Sequence, residues 1–194
     1  MRHLSIGLVL MLLCTQAFAQ KKEGIHKGMF RTQGTVALGI DINKVTKEQR
    51  YYIYGESEYL LSDHIGVNGS AWFNIGSSEH RLIPLGTPEE EGYVHSALAG
   101  PVFHAFSNQP LDLYVGIQPG FSLTVARTVA PFDGVQESIQ LSPTATVHGG
   151  VAYYGSFFHL FAQARYVRTQ HTNINDIRQF NDLRLCIGLG FNFF

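Results

Sequence analysis

The sequence predicts an all-β fold, an eight-stranded antiparallel up-and-down transmembrane β-barrel. Three observations predict it. Eight segments between Phe30 and Phe193 alternate apolar and polar residues with a period of two, the mark of a strand whose two faces meet different surroundings. The connectors between them are long and short in turn. The polar faces also carry no lysine, since the last one in the chain is Lys47.

The first segment, Phe30 to Ile42, places Val36, Leu38, Ile40 and Ile42 on one face and Arg31, Gln33, Thr35 and Asp41 on the other. The second, Tyr52 to Leu61, sets Ile53, Tyr59 and Leu61 against Tyr54, Glu56 and Glu58. The third, Ile65 to Ile75, sets Val67, Ala71 and Phe73 against Asn68, Ser70, Trp72 and Asn74. The fourth, Tyr93 to Phe106, alternates least clearly, and Pro101 weakens it. The fifth, Leu111 to Val125, is the cleanest, with Leu113, Val115, Ile117, Phe121 and Leu123 opposite Asp112, Tyr114, Gln118, Ser122 and Thr124. The sixth, Ser138 to Tyr153, sets Ile139, Leu141, Val147 and Val151 against Gln140, Thr144, Thr146 and His148. In the seventh, Phe158 to Val167, Leu160, Ala162, Ala164 and Tyr166 oppose His159, Gln163 and Arg165. In the eighth, Leu183 to Phe193, Leu185, Ile187, Leu189 and Phe191 oppose Arg184, Cys186 and Asn192. No segment has a helical period.

Ser62 to His64, Ser107 to Pro110 and Tyr154 to Ser156 read as tight turns. Asn43 to Arg50, Ser77 to Gly92, Ala126 to Glu137 and Thr169 to Asp182 read as long polar loops. Both chain ends then fall on the short-turn side, which is the plan of an outer-membrane barrel with short periplasmic turns and longer outer loops. A secreted soluble barrel has the same period with its apolar face inside. Composition decides between them. A water-facing surface carries many Lys and Glu residues, whereas here the polar faces are Ser, Thr, Asn, Gln, Tyr and Gly with single charges. That suits a narrow packed lumen in which charges must be paired. Aromatics fall near the strand ends, as interfacial girdles require: Phe30, Tyr59, Phe73, Phe103, Phe106, Phe121, Tyr153, Phe158, Tyr166, Phe191 and Phe193.

The start of the chain supplies the address. Arg2 and His3 precede an apolar run from Leu4 to Leu13, and Ala17-Phe18-Ala19 stands before Gln20. This is the order of a cleaved secretory signal, too short to span a membrane as a helix. Residues 1–19 are expected to be the signal peptide and 20–194 the barrel domain. The alternative, a lipoprotein signal on Cys14, is opposed by Leu13 where a small residue is needed. Removing Arg2 with the leader leaves 13 basic against 15 acidic residues, so there is no basic footprint for nucleic acid. Only Cys186 outlasts the leader, which excludes an internal disulfide. No later stretch approaches the 18 apolar residues of a spanning helix.

The ending, Gly188-Leu189-Gly190-Phe191-Asn192-Phe193-Phe194, resembles the C-terminal signal of bacterial outer-membrane proteins, a glycine followed by alternating aromatics on the last strand. With the eight-strand plan, the mature chain resembles the small outer-membrane barrels of the OmpA-domain and OmpX type. The resemblance implies an outer-membrane location, lipid contacts, and assembly machinery that reads Gly190, Phe191, Phe193 and Phe194. Phe193, rather than Phe194, keeps the parity of Leu189 and Phe191, so the chain overshoots that pattern by one residue.

The predicted lumen holds Arg31, Asp41, Glu56, Glu58, Asp112, Arg165 and Arg184, with His95, His148 and His159. The first, second and eighth strands are neighbours, so Glu56 and Glu58 are expected to meet Arg184, with Arg165 close by. Such a cluster is either the gate of a narrow solute path or a structural ion-pair plug. The histidines have no metal-ligand spacing, and neither a nucleophile elbow nor a phosphate loop is present. No cofactor, metal or catalytic residue is expected. Arg168 to Asp176 resembles the region of lipid A deacylases where a His-x-Ser-Asn motif supplies base and nucleophile. Here Gln170 takes the place of that His, and His171 is followed directly by Thr172. Neighbours on a strand point to opposite faces, which opposes a shared activating hydrogen bond. The expected role is non-enzymatic, structural or binding, with an extracellular ligand engaged through the outer loops. The acidic run Gly86 to Tyr93 is one surface for a basic partner.

Overall fold

The computed structural model describes residues 24–42, 49–78, 92–130, 134–173 and 176–193. Eight strands follow one another: β1 (Phe30–Asp41), β2 (Gln49–Leu60), β3 (Ile65–Ser78), β4 (Gly92–His104), β5 (Leu111–Ala130), β6 (Gly134–Tyr154), β7 (Phe158–Asn173) and β8 (Asp176–Phe193). Each pairs antiparallel with the next. β8 returns to β1, from Phe30↔Phe193 to Asp41↔Asp182, and closes the barrel. Closure leaves the barrel wall without an open edge.

The alternation resolves into an apolar exterior and a polar interior. On β5, Val115 is 51% exposed and Gln118 is fully buried; on β8, Leu189 is 54% exposed and Arg184 is fully buried. Phe30, Tyr59, Phe73, Phe103, Phe121, Tyr153, Phe158, Phe191 and Phe193 all lie on the outside. β4 alternates poorly in sequence because its inward face is itself apolar: Val94, Leu98 and Val102 are buried against the lumen. Parity on β4 is therefore the reverse of what His95 suggests. His95 faces outward, half-buried beside the ring of Phe73 (centroids 6.0 Å apart), and His104 is the buried histidine of this strand.

Two of the four expected long loops are strand instead. β5 continues to Ala130 and β6 begins at Gly134; β7 continues to Asn173 and β8 begins at Asp176. The ladder runs on through Arg127↔Glu137 and Ala130↔Gly134, and through His171↔Arg178 and Asn173↔Asp176. The sequence here lost its apolar alternation, which reads as a loop. Backbone pairing, which no side-chain pattern reports, carries the ribbons onward. The segment from Gly86 falls outside the described residues up to 91, and β4 starts at Gly92.

At the short-turn end the chain crosses its own mouth. Residues 24–29 leave β1 and run beneath the barrel as a strap. Gly28 N donates to Leu60 O (2.8 Å), Leu60 N to Met29 O (2.9 Å), Lys27 N to Asp63 Oδ1 (2.8 Å) and Asn108 N to Ile25 O (2.9 Å). The strap thus touches the β2–β3 turn and, farther across, the β4–β5 turn. Ile25 and Met29 are fully buried, so an apolar stopper fills the opening. Gly24 lies at φ 93° against the backbone of Gln109, where a side chain would have no room.

An exterior this apolar has hydrocarbon as its solvent. At about 3.3 Å per residue and a tilt near 40°, ten residues climb about 25 Å, the height of the apolar band of such barrels. Leu111 to Phe121 spans that band. Leu141 and Ile139, paired with Leu123 and Val125, stand above it. Val115→Arg should therefore cost about 2–4 kcal/mol, and Ile139→Arg no more than about 1 kcal/mol, measured as urea midpoints in lipid vesicles. Equal losses at the two sites would put the apolar band somewhere else.

Candidate functional site

The interior is a stack of polar tiers. In the lowest, above the strap, Arg31 Nε donates to Glu58 Oε2 at 2.7 Å and its Nη1 donates to the Tyr154 hydroxyl. His104 bridges two carboxylates, with Nε2 2.7 Å from Glu58 Oε1 and Nδ1 2.7 Å from Asp112 Oδ2. A ring with hydrogen on both nitrogens donates to both. His159 lies alongside, with Nδ1 2.7 Å from Asn192 Oδ1 and Nε2 3.0 Å from Gln33 Oε1.

The middle tier centres on Arg165. Its Nη2 donates to Glu56 Oε2 (2.9 Å), and its Nη1 donates to Ser70 Oγ (2.9 Å) and to Gln118 Oε1. Gln118 passes the chain of bonds to Asn68 Oδ1 at 2.6 Å, and Asn68 reaches His148 Nε2 at 3.4 Å. In the upper tier Asp182 accepts from Tyr52 Oη (2.7 Å), Arg50 Nη1 (3.1 Å) and Arg184 Nη2 (3.3 Å). Asp41 lies 3.6 Å from Arg50. Hydroxyls of Ser96, Ser122, Thr144 and Thr169 join above, at 2.7–2.8 Å along the chain from Ser96 to Ser122, Thr144 and Thr169.

Arg31, Glu56, Glu58, Arg165 and Arg184 are thus all lumenal, but they form three separate groups. Glu58 meets Arg31, Glu56 meets Arg165, and Arg184 meets Asp182. The expected contact of Glu56 and Glu58 with Arg184 is absent because the strands are staggered around the barrel. The row of Glu56 passes through Gln33 to Gly190 on β8, six residues from Arg184. Arg165 reaches Glu56 across the lumen rather than along the wall. His104, at the heart of the lowest tier, is missing from the expected lumenal set, in which His95 stood instead. A histidine eight residues before Asp112, across a tight turn, was the signal available.

Among the described buried residues four arginines face five carboxylates, and a second proton on His104 would balance the charge. Buried charges of both signs set against one another fill an eight-stranded interior. No cluster among the described residues suits a metal ion, and no described serine or threonine is bonded to a histidine within the lumen. His171 and Thr172 lie on the upper part of β7, opposite Arg178 and Ile177. Their side chains are outside the described residues.

Gly190 sits where a side chain would run into the His159 ring and the Thr32 carbonyl. Phe191 and Phe193 pack outside on Phe157 (centroids 5.5 and 6.4 Å), and Phe193 also packs on Phe30 (6.0 Å). Phe194 lies outside the described residues.

No family model matches the chain, and neither does any curated protein. Solved structures do. Ail, the attachment invasion locus protein of Yersinia pestis, superposes with a TM-score of 0.57 at 16% identity, over 86% of this chain and 99% of Ail. The Neisserial surface protein A gives 0.56 at 19% identity, over 86% and 98%. OprG of Pseudomonas aeruginosa gives 0.56 at 13% identity, over 88% and 98%. This chain has the fold of the small outer-membrane barrels. At these identities the likeness is one of architecture. On the outer-membrane-barrel fold this chain carries the strap, the tiered lumen and the tall hairpins.

Proposed function

We propose that the protein is an integral outer-membrane barrel that binds an extracellular partner through the β5–β6 and β7–β8 hairpins and carries no enzymatic activity. Residues 1–19 are its cleaved leader, and the last strand, with Gly190, Phe191, Phe193 and Phe194, is what the assembly machinery reads. One observation carries the binding reading. β6 pairs with β7 only from Thr144↔Thr169 downward, although β6 runs up to Gly134 and β7 to Asn173. Above that row the two ribbons part, and Gly134–Pro143 has no strand on its β7 side. Such an edge offers its backbone to an extended segment, with side-chain contacts supplying specificity. Ile139 and Leu141, 64% and 65% exposed, supply apolar contacts above the bilayer. Ail, of similar architecture, has been solved with the heparin analogue sucrose octasulfate, which makes ligand recognition a natural use of this scaffold.

Cells displaying the intact protein should adhere to a panel of immobilised matrix proteins and sulfated polysaccharides. Cells displaying a form trimmed of residues 128–136 should not, at equal levels of folded barrel. Equal adhesion by both, or none by either, would refute the binding reading. Lipid A mass spectra should be unchanged on overexpression. Loss of an acyl chain that depends on His171 would establish the deacylase alternative. Frequent large openings in bilayer recordings would establish the channel alternative.

A further inference from the structure

Five hydrogen-bond donors without acceptors lie where the middle and upper tiers of the lumen meet. The Nε of Arg165, the Nε and Nη1 of Arg184, the Nε1 of Trp72 and the Nε2 of Gln163 are buried with no partner. All four side chains are at least nine-tenths buried, and the two arginines and Trp72 almost completely so. They belong together. Arg165 and Arg184 are direct cross-strand partners, as are Gln163 and Cys186 two pairs below. Both guanidinium carbons lie over the Trp72 ring, 5.0 and 5.1 Å from its centroid, and that of Arg184 lies over the Tyr52 ring at 4.1 Å.

This arrangement is costly as it stands. Like charges directly opposite on neighbouring strands repel, and a buried cation needs its N–H groups satisfied. Glu56 and Asp182 each engage a different edge of the pair, and Arg184 holds Asp182 only at 3.3 Å. Water answers the deficit poorly. Each molecule accepts about two hydrogen bonds but brings two O–H donors of its own, and none of the five unpartnered groups is an acceptor. A monoatomic anion accepts from all sides, donates nothing and relieves the repulsion. We propose that the upper lumen is a binding site for a small inorganic anion of halide size, held between Arg165 and Arg184 with Trp72 and Gln163 as further donors.

Trp72 is the chain's one tryptophan, so its emission reports on this level alone. The full mature protein, held in detergent micelles in gluconate buffer of constant ionic strength, is titrated with bromide. Saturable quenching is expected. Arg184→Gln should abolish the saturable phase while heat-modifiable migration persists. Should that variant fail to fold, Gln163→Leu leaves both ion pairs in place and removes one donor. Its apparent affinity should fall about tenfold, the worth of a hydrogen bond to a charged group. Purely linear quenching or no quenching in the native protein would overturn the proposal. So would a saturable phase that survives unchanged in the variants that fold.

Discussion

Deleting Phe191 to Phe194 should abolish membrane insertion. The cut removes Phe30↔Phe193, Arg31↔Asn192 and Thr32↔Phe191 from the ladder that closes the barrel. It strips Phe158 of its β8 partner and breaks up the aromatic cluster around Phe157. It also takes away Asn192, which holds His159 at 2.7 Å and donates to Gly155 O at 3.2 Å. Each backbone group left unpaired in hydrocarbon costs several kcal/mol, against a net stability of about 5–15 kcal/mol. The truncated chain should be absent from the outer-membrane fraction and show no heat-modifiable band. Deleting Phe194 alone should leave most of the folded protein, because Phe193 then ends the chain with the parity of Phe191. Normal membrane levels of the four-residue truncation would show that this ending is dispensable for assembly.

The second large effect is expected inside. Arg31→Met leaves Glu58 buried with His104 as its remaining cationic neighbour and removes the partner of the Tyr154 hydroxyl. Breaking one side of a buried ion pair costs about 3–5 kcal/mol, which should appear as a lowered urea midpoint in vesicles. Combining it with Glu58→Gln should recover a large part of the loss, since the uncompensated charge goes with the carboxylate. A double-mutant cycle reads this coupling directly. If Arg31→Met costs less than about 1 kcal/mol, the lowest tier contributes little to holding the barrel together.

The wall was legible in the sequence because a strand between lipid and lumen has two unlike faces, and period two records that contrast residue by residue. Val115 against Gln118 is the plainest instance. Legibility failed where the contrast failed. On β4, Val94, Leu98 and Val102 make the inner face apolar too, so His95 was expected in the lumen and His104 was missing from it. Past Val125 and Val167, above the apolar band, Arg127, Glu137 and Arg178 resemble loop residues although their backbones pair. The charged tiers posed a different difficulty. Composition showed which charges lie inside, but partners across a lumen depend on strand stagger, which no local pattern encodes. Glu56 finding Arg165 instead of Arg184 is the result.

The strap also sets an order of events. Its anchors, Leu60, Asp63 and Asn108, belong to two different turns, so it has nowhere to seat until the hairpins bearing those turns stand side by side. The strap is thus among the last segments to find its place. Until then Ile25 and Met29 hang loose and greasy in the periplasm; afterwards they are out of sight, with Lys27 still facing water. A protease or chaperone patrolling beneath the membrane would meet an unfinished barrel by its unseated strap and find that strap covered on a finished one.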